Sequence, residues 1–213
     1  MGRTAYQGRG KFPCMRHFVV IGHEVPTDPE AISLSDIPGA GRLDLLCRCV
    51  ATGVFLSHDI RESVRVHLVL DDAFTVTFDA DTLRHLRPDE RNVASRVRGA
   101  LESTADAIGH MPAEVSPGVT LRRMGLEDTL DRILDEESTC VQLHEDGDPL
   151  VDVDPPADPV FVLSDHRDLT EAEATTVATA ATQRVRVGPR VLHADDTIAV
   201  VHNWIDTDGY TTY

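Results

Sequence analysis

The chain has 213 residues, 41% of them hydrophobic, and 36 acidic against 20 basic side chains give a formal net charge of −16. That length favours one domain, or one with an appendage, and no apolar run approaches the roughly 18 to 20 residues of a membrane span. The first 15 residues contain no apolar segment of the kind a secretory signal needs, so the expectation is a soluble, cytoplasmic protein.

Residues 1–14 carry Gly, Arg and Lys with little periodicity, and they read as a disordered extension or a start assigned too early. Residues 15–213 are then a single domain. His17–Gly22 (HFVVIG) is a short apolar run of buried-strand type. A loop rich in Pro, Asp and Ser ends in Pro38-Gly39-Ala40-Gly41. Residues 42–58 follow as a helix whose apolar face is Leu43, Leu46, Cys47, Val50 and Val54. Alternation over Val64–Leu70 and Phe74–Phe78, with Asp71-Asp72 between, predicts a hairpin. Asp89 caps a helix with the face Val93, Val97, Ala100, Leu101 and Ile108, stopped at Gly109. Leu126, Leu130, Ile133 and Leu134 mark another.

In the last third, Cys140–Leu143 is a strand, and Val160–Leu163 is a continuous apolar run suited to a parallel sheet buried on both faces. Thr170 and Glu173 form a capping box ahead of a helix with Ala174, Val177, Ala178 and Ala181 inward. Val185–Val187 is a short strand. A final helix turns Val191, Ala194, Ile198, Val201 and Ile205 inward. Strands alternating with helices predict an α/β domain, its sheet mostly parallel with helices on both faces. Ligands of such sheets sit outside the carboxyl ends of the strands, here the loops 143–147, 163–166 and 187–193.

The sequence has no G-x-G-x-x-G after its first strand, no phosphate-binding P-loop and no G-x-S-x-G. Lys11 is the only lysine, so nineteen of the 20 basic residues are arginine. Strong acidity with almost no lysine is the pattern of a protein from a very saline cytoplasm, kept soluble by its excess negative charge. In molar salt the Debye length is about 3 Å, so net charge does not exclude an RNA partner, although phosphate contacts need a local basic footprint. Cys14, Cys47, Cys49 and Cys140 lack zinc spacing. Cys47 and Cys49 point about 200° apart on a helix, which predicts free thiols in a reducing compartment.

A metal-dependent hydrolase is one reading of the strand-end residues His144, Glu145, Asp146, Asp165, His166, His193, Asp195 and Asp196, which are donor types suited to Mn or Zn. Against it, a saline surface presents such carboxylates anyway, and Asp195 and Asp196 suit a helix N-terminus. No metal is expected. A nucleotide-sensing module is a second alternative, outside enzymes.

A different reading comes from motifs in order along nearly the whole chain. These are M-R-x-F-V-V-I-G-H (Met15–His23), G-A-G-R-L-D-L-L-C-R (Gly39–Arg48), F-L-S-H-D-I-R (Phe55–Arg61), H-E-D-G at 144–147, F-V-L-S-D-H at 161–166, V-G-P-x-x-L-H-A-D at 187–195 and a closing H-N-x-x-D. With them the chain resembles the SPOUT superfamily of S-adenosylmethionine-dependent methyltransferases, and within it the archaeal tRNA pseudouridine-54 N1-methyltransferases. The resemblance implies an α/β knot with a C-terminal trefoil, an obligate homodimer with sites at the subunit interface, and tRNA as substrate. By position, Leu143, Leu163, Ser164, Gly188, Leu192 and His193 are then expected to line the S-adenosylmethionine pocket. The bland reading of Gly188 is a plain turn. Arg42 and Arg48 are expected to hold tRNA phosphate or the target base, with Asp44 orienting them or taking the N1 proton. The alternative is a surface ion pair worth about 0.3 to 0.5 kcal/mol. A ribosomal-RNA pseudouridine N1-methyltransferase is the nearest alternative within the class.

Overall fold

The computed structural model describes residues 15–109 and 111–213, and the expectation for residues 1–14 lies outside them. In β1 (Arg16–Gly22) the period of two sends Phe18 and Val20 to one face and Val19 and Ile21 to the other, all buried. The strand therefore serves two cores at once. It pairs in parallel with β2 (Val64–Leu70) on one side and β7 (Pro159–Ser164) on the other.

The eight-stranded sheet runs β4-β5-β3-β2-β1-β7-β6-β8. Beyond β7 lie β6 (Thr139–Pro149) and β8 (Gln183–Arg186), also parallel. Beyond β2 the sheet turns antiparallel through β3 (Phe74–Asp79), β5 (Val119–Arg122) and β4 (Ala113–Ser116). The predicted hairpin is β2–β3. The β4–β5 hairpin is an addition to the sequence reading.

Helices cover both faces. Side chains of α1 (Leu43–Val54), α2 (Glu90–Glu102) and α5 (Ala194–Asp206) share the core of Phe18 and Val20. Those of α3 (Leu126–Ile133) and α4 (Glu171–Ala180) share the core of Val19 and Ile21. Trp204 on α5 is fully buried. The Asp89 cap and the Thr170/Glu173 capping box both form.

Several boundaries differ from expectation. The first helix stops at Val54, where Phe55 leaves for a bridge to Ile60. The second ends at Glu102 in a turn closed by Ser103, so Ile108 is exposed rather than packed. Val191 precedes α5 and is exposed, and Ala178 faces solvent on α4. Strand β6 outruns its predicted end: Leu143 and Asp148 both pair with Val185, so residues 144–147 leave the ladder and return to it. Among the described residues, no helix is long and apolar enough to cross a membrane.

Candidate active site

The loop before α1 enters the helix through two consecutive left-handed residues, Gly41 (φ 63°) and Arg42 (φ 61°). Gly41 has no substitute, because a Cβ there would meet the Glu24 carbonyl oxygen at 1.9 Å. Arg42 is strained in this conformation, the kind of cost found at functional sites. It sets the guanidinium over the first turn of α1, where Nε and Nη2 donate to the two oxygens of Asp44 at 3.0 and 3.2 Å. Arg48, one turn on, donates to the same carboxylate at 2.9 Å. Burial opposes ionisation of Asp44, but hydrogen bonds from Arg42 and Arg48 outweigh it and hold the carboxyl below its ordinary value.

The structure thus brings Arg42, Asp44 and Arg48 together. Arg48 also donates to Asp195 at 3.1 Å and Glu90 at 3.3 Å, tying α1 to the starts of α5 and α2. Held by three carboxylates, it is the structural centre of the cluster. Arg42 keeps the more accessible guanidinium, with 40% of its side chain exposed.

Of the six residues expected at the cofactor pocket, Leu163 and Ser164 end β7, Leu143 lies where β6 first leaves its ladder with β8, and Gly188, Leu192 and His193 fall between β8 and the start of α5. Leu143 and Leu163 are both buried. The Ser164 hydroxyl donates to the Arg167 carbonyl and shapes the loop after β7. Gly188 follows β8, and a Cβ built there meets nothing within 4 Å, so packing does not demand a glycine. Leu192 is exposed, and His193 is the N-cap of α5, its carbonyl accepting the Thr197 N–H. An unpacked glycine beside exposed Val191 and Leu192 leaves room and apolar surface of the kind an adenosine without phosphates requires.

A second cluster joins Asp165 and His166, strand-end donor types of the metal reading, to Glu173 of the capping box and to His23, which sequence reasoning left without a role. His23 lies between Asp165, 2.9 Å from its Nδ1, and Glu173, 3.0 Å from its Nε2. His166 stands 3.6 Å from both Glu24 and Asp165, and Arg167 pairs with Glu24. His23, Glu24, His166, Arg167 and Glu173 border a cleft of about 980 Å³ between the ends of β1 and β7 and the starts of α3 and α4. The cleft lining shares none of the six cofactor-pocket residues, so it is a neighbouring space. The signal for this cluster was present in the motifs ending G-H and S-D-H, but nothing local showed that they meet. Among the described residues, no group of three or more His, Cys, Asp or Glu side chains could hold a metal ion. Cys47, Cys49 and Cys140 are free and buried.

Fold and site define an α/β protein with an arginine–carboxylate cluster beside the strand-end loops of its parallel half-sheet, the arrangement of an α/β enzyme. Residues 15–210 match the family of SAM-dependent RNA methyltransferases. A tRNA (pseudouridine(54)-N(1))-methyltransferase of Halorubrum lacusprofundi is 72% identical over 207 residues, covering 93% of this chain and 100% of that one. One of the same name from Haloferax volcanii is 60% identical, with the same coverage. Among solved structures, Archaeoglobus fulgidus Nep1 bound to S-adenosylhomocysteine aligns with TM-score 0.60 over 91% of this chain and 97% of its own, at 11% identity, a likeness of fold. The chain belongs to the family of tRNA (pseudouridine(54)-N(1))-methyltransferases.

Proposed function

We propose that this chain transfers the methyl group of S-adenosylmethionine to N1 of pseudouridine 54 in the T-loop of tRNA. The observation that carries the reading is 72% identity to a relative of that name along that relative's whole length. When bound, S-adenosylmethionine supplies an electrophilic methyl on a sulfonium. Leu143, Leu163, Ser164, Gly188, Leu192 and His193 would hold it, their backbone groups and apolar side chains taking adenine and ribose.

The acceptor side falls to Arg42, Asp44 and Arg48. Arg42 holds the acceptor's phosphate or base, because its guanidinium is the accessible one. Asp44 has both oxygens occupied by guanidinium N–H groups, so its part is to orient Arg42 and Arg48. Arg48, fixed by Asp195, sets the distance between the loop before α5 and the acceptor. In-line methyl transfer gains most from such positioning.

The chain is also read as a homodimer with a C-terminal trefoil knot, formed by residues 15–213 as one domain and working in the cytoplasm. Support for the dimer is the exposed apolar pair Val191 and Leu192 beside the cofactor loops, since exposed apolar surface next to a site marks an interface. Incubation with labelled S-adenosylmethionine in molar KCl tests the function, using two transcripts with uridine or pseudouridine at position 54. Methyl incorporation into the pseudouridine transcript alone is expected. Incorporation into neither, with cofactor still bound, would move the substrate to ribosomal RNA.

A further inference from the structure

The sheet face toward α3 and α4 changes character along its length. Where β1, β2 and β3 pass beyond Val19, Ile21 and Val69, they present His17, His67 and Thr77 in one hydrogen-bonded row. His17 Nδ1 lies 2.9 Å from His67 Nε2, and His67 Nδ1 lies 2.9 Å from the Thr77 hydroxyl. The two rings lie within 1° of parallel with their centroids 5.2 Å apart, joined edge to edge through these nitrogens. Burial pushes His17 down to about 4 and His67 well below its ordinary value, so the row is neutral.

Arginines line the β2-to-β5 side of this neutral floor, while Asp79, Asp135 and Asp158 lie near His17. Arg65 on β2 alternates with the core residues Val64 and Val66, and it pairs with Asp79 at 2.8 Å. Arg122 ends β5, where its register partner on β3 is Thr75. The Thr75 hydroxyl meets Thr129 of α3 at 2.7 Å, and Arg132 is exposed one turn further along that helix. Arg122 and Arg132 are close enough for their charges to interact. Among the described residues, neither meets a carboxylate, and the buried Nε–H of Arg122 reaches no acceptor. Burial and the charges of Arg132 and Arg65 hold the Arg122 guanidinium below its ordinary value. In a chain of net charge −16, the Arg122 and Arg132 guanidinium groups stand without a carboxylate partner among the described residues.

We propose that Arg122 and Arg132, flanked by Arg65, form a phosphate-binding face that grips the backbone of the RNA substrate away from the strand-end loops. The inference rests on the RNA reading above. A planar guanidinium fork matches a phosphate in two parallel hydrogen bonds, and a folded RNA extends well past one reacting base. The local basic footprint absent from overall composition is supplied here.

The test uses the full chain, a tRNA transcript with pseudouridine at position 54, and the variants Arg122→Gln and Arg132→Glu. Each is expected to raise Kd and KM for the transcript about tenfold and to flatten the dependence of log Kd on log[KCl] by about one per lost contact. Cofactor affinity by calorimetry is the control for folding, and exposed Arg132 guards against a folding defect at half-buried Arg122. Arg122→Lys should restore the salt slope but not the full affinity, because lysine lacks the fork. Unchanged affinity and slope in variants that bind cofactor would overturn the proposal. So would a change of oligomeric mass in Arg132→Glu without loss of RNA affinity, which would make the face a contact between copies. A wild-type chain that fails to bind the transcript overturns the RNA reading, and this inference with it.

Discussion

Asp165 holds His23 twice: one carboxylate oxygen accepts its backbone N–H at 3.0 Å, and the other lies 2.9 Å from ring Nδ1. Glu173 takes the opposite ring nitrogen. Carboxylates at both nitrogens call for a donor at each, so the imidazole is held protonated. Burial opposes that charge, but hydrogen bonds to Asp165 and Glu173 outweigh it and raise the pKa above its ordinary value. The contact joins residues 142 positions apart and pins the loop after β7 to the end of β1.

A raised folded pKa fixes the sign of the pH response. His23 contributes its full stability below the unfolded value of about 6.5 and loses it as pH rises through the folded value. Replacing it with Gln is expected to cost about 2 kcal/mol near pH 6, from the loss of charge-assisted hydrogen bonds, and progressively less toward pH 9. Denaturant midpoints of wild type and His23→Gln across that range check this. A constant difference would show that His23 is not charged in the folded state.

Asp44 behaves oppositely. Its lowered folded pKa gives stability that is present above about pH 3.9 and disappears as pH falls through the folded value. For activity, Asp44→Ala is expected to bind cofactor normally and lose about 100-fold in methyl transfer, the scale of a misplaced acceptor. Asp44→Glu should recover part of the loss without altering the pH profile. Full turnover by Asp44→Ala would remove the residue from the site.

Two glycines beside the proposed cofactor loops separate packing from ligand contact. A Cβ on Gly147 would meet the backbone N of Val185 at 2.5 Å. Gly147→Ala should therefore lower stability by about 2 kcal/mol as β8 is pushed from β6. Gly188→Ala meets nothing, so its thermal midpoint should stay at the wild-type value within about 0.5 kcal/mol. Its affinity for S-adenosylmethionine should fall at least about tenfold. If affinity also stays put, Gly188 is only a turn.

Self-repulsion from a net charge of −16 is screened by salt, so the unfolding midpoint should climb steadily from 0.1 M to molar KCl. Thermal melts across that series decide it. A flat profile would contradict a surface adapted to saline conditions.

Elements with strong periodicity were legible in the sequence. The unbroken apolar run of β7 is buried on both faces, and Phe18/Val19 alternation splits between two cores. The β4–β5 hairpin was not, because two four-residue strands carry too few apolar positions to show a period of two. At the site, Asp44 and Arg48 share a helix turn and could be paired by spacing. Glu90 and Asp195 join them from 42 and 147 residues away, contacts no local pattern encodes.

Strand β1 also sets the order in which the molecule is assembled. Its partner β2 and the antiparallel strands β3, β4 and β5 come next in sequence. Its other neighbour, β7, comes only in the last third of the chain. Until β7 docks, one edge of the central strand is an open row of N–H and C=O groups, a template for pairing with another chain. Closing so long a loop late makes folding slow. The period of greatest aggregation risk is therefore the interval between formation of the first half-sheet and arrival of β7.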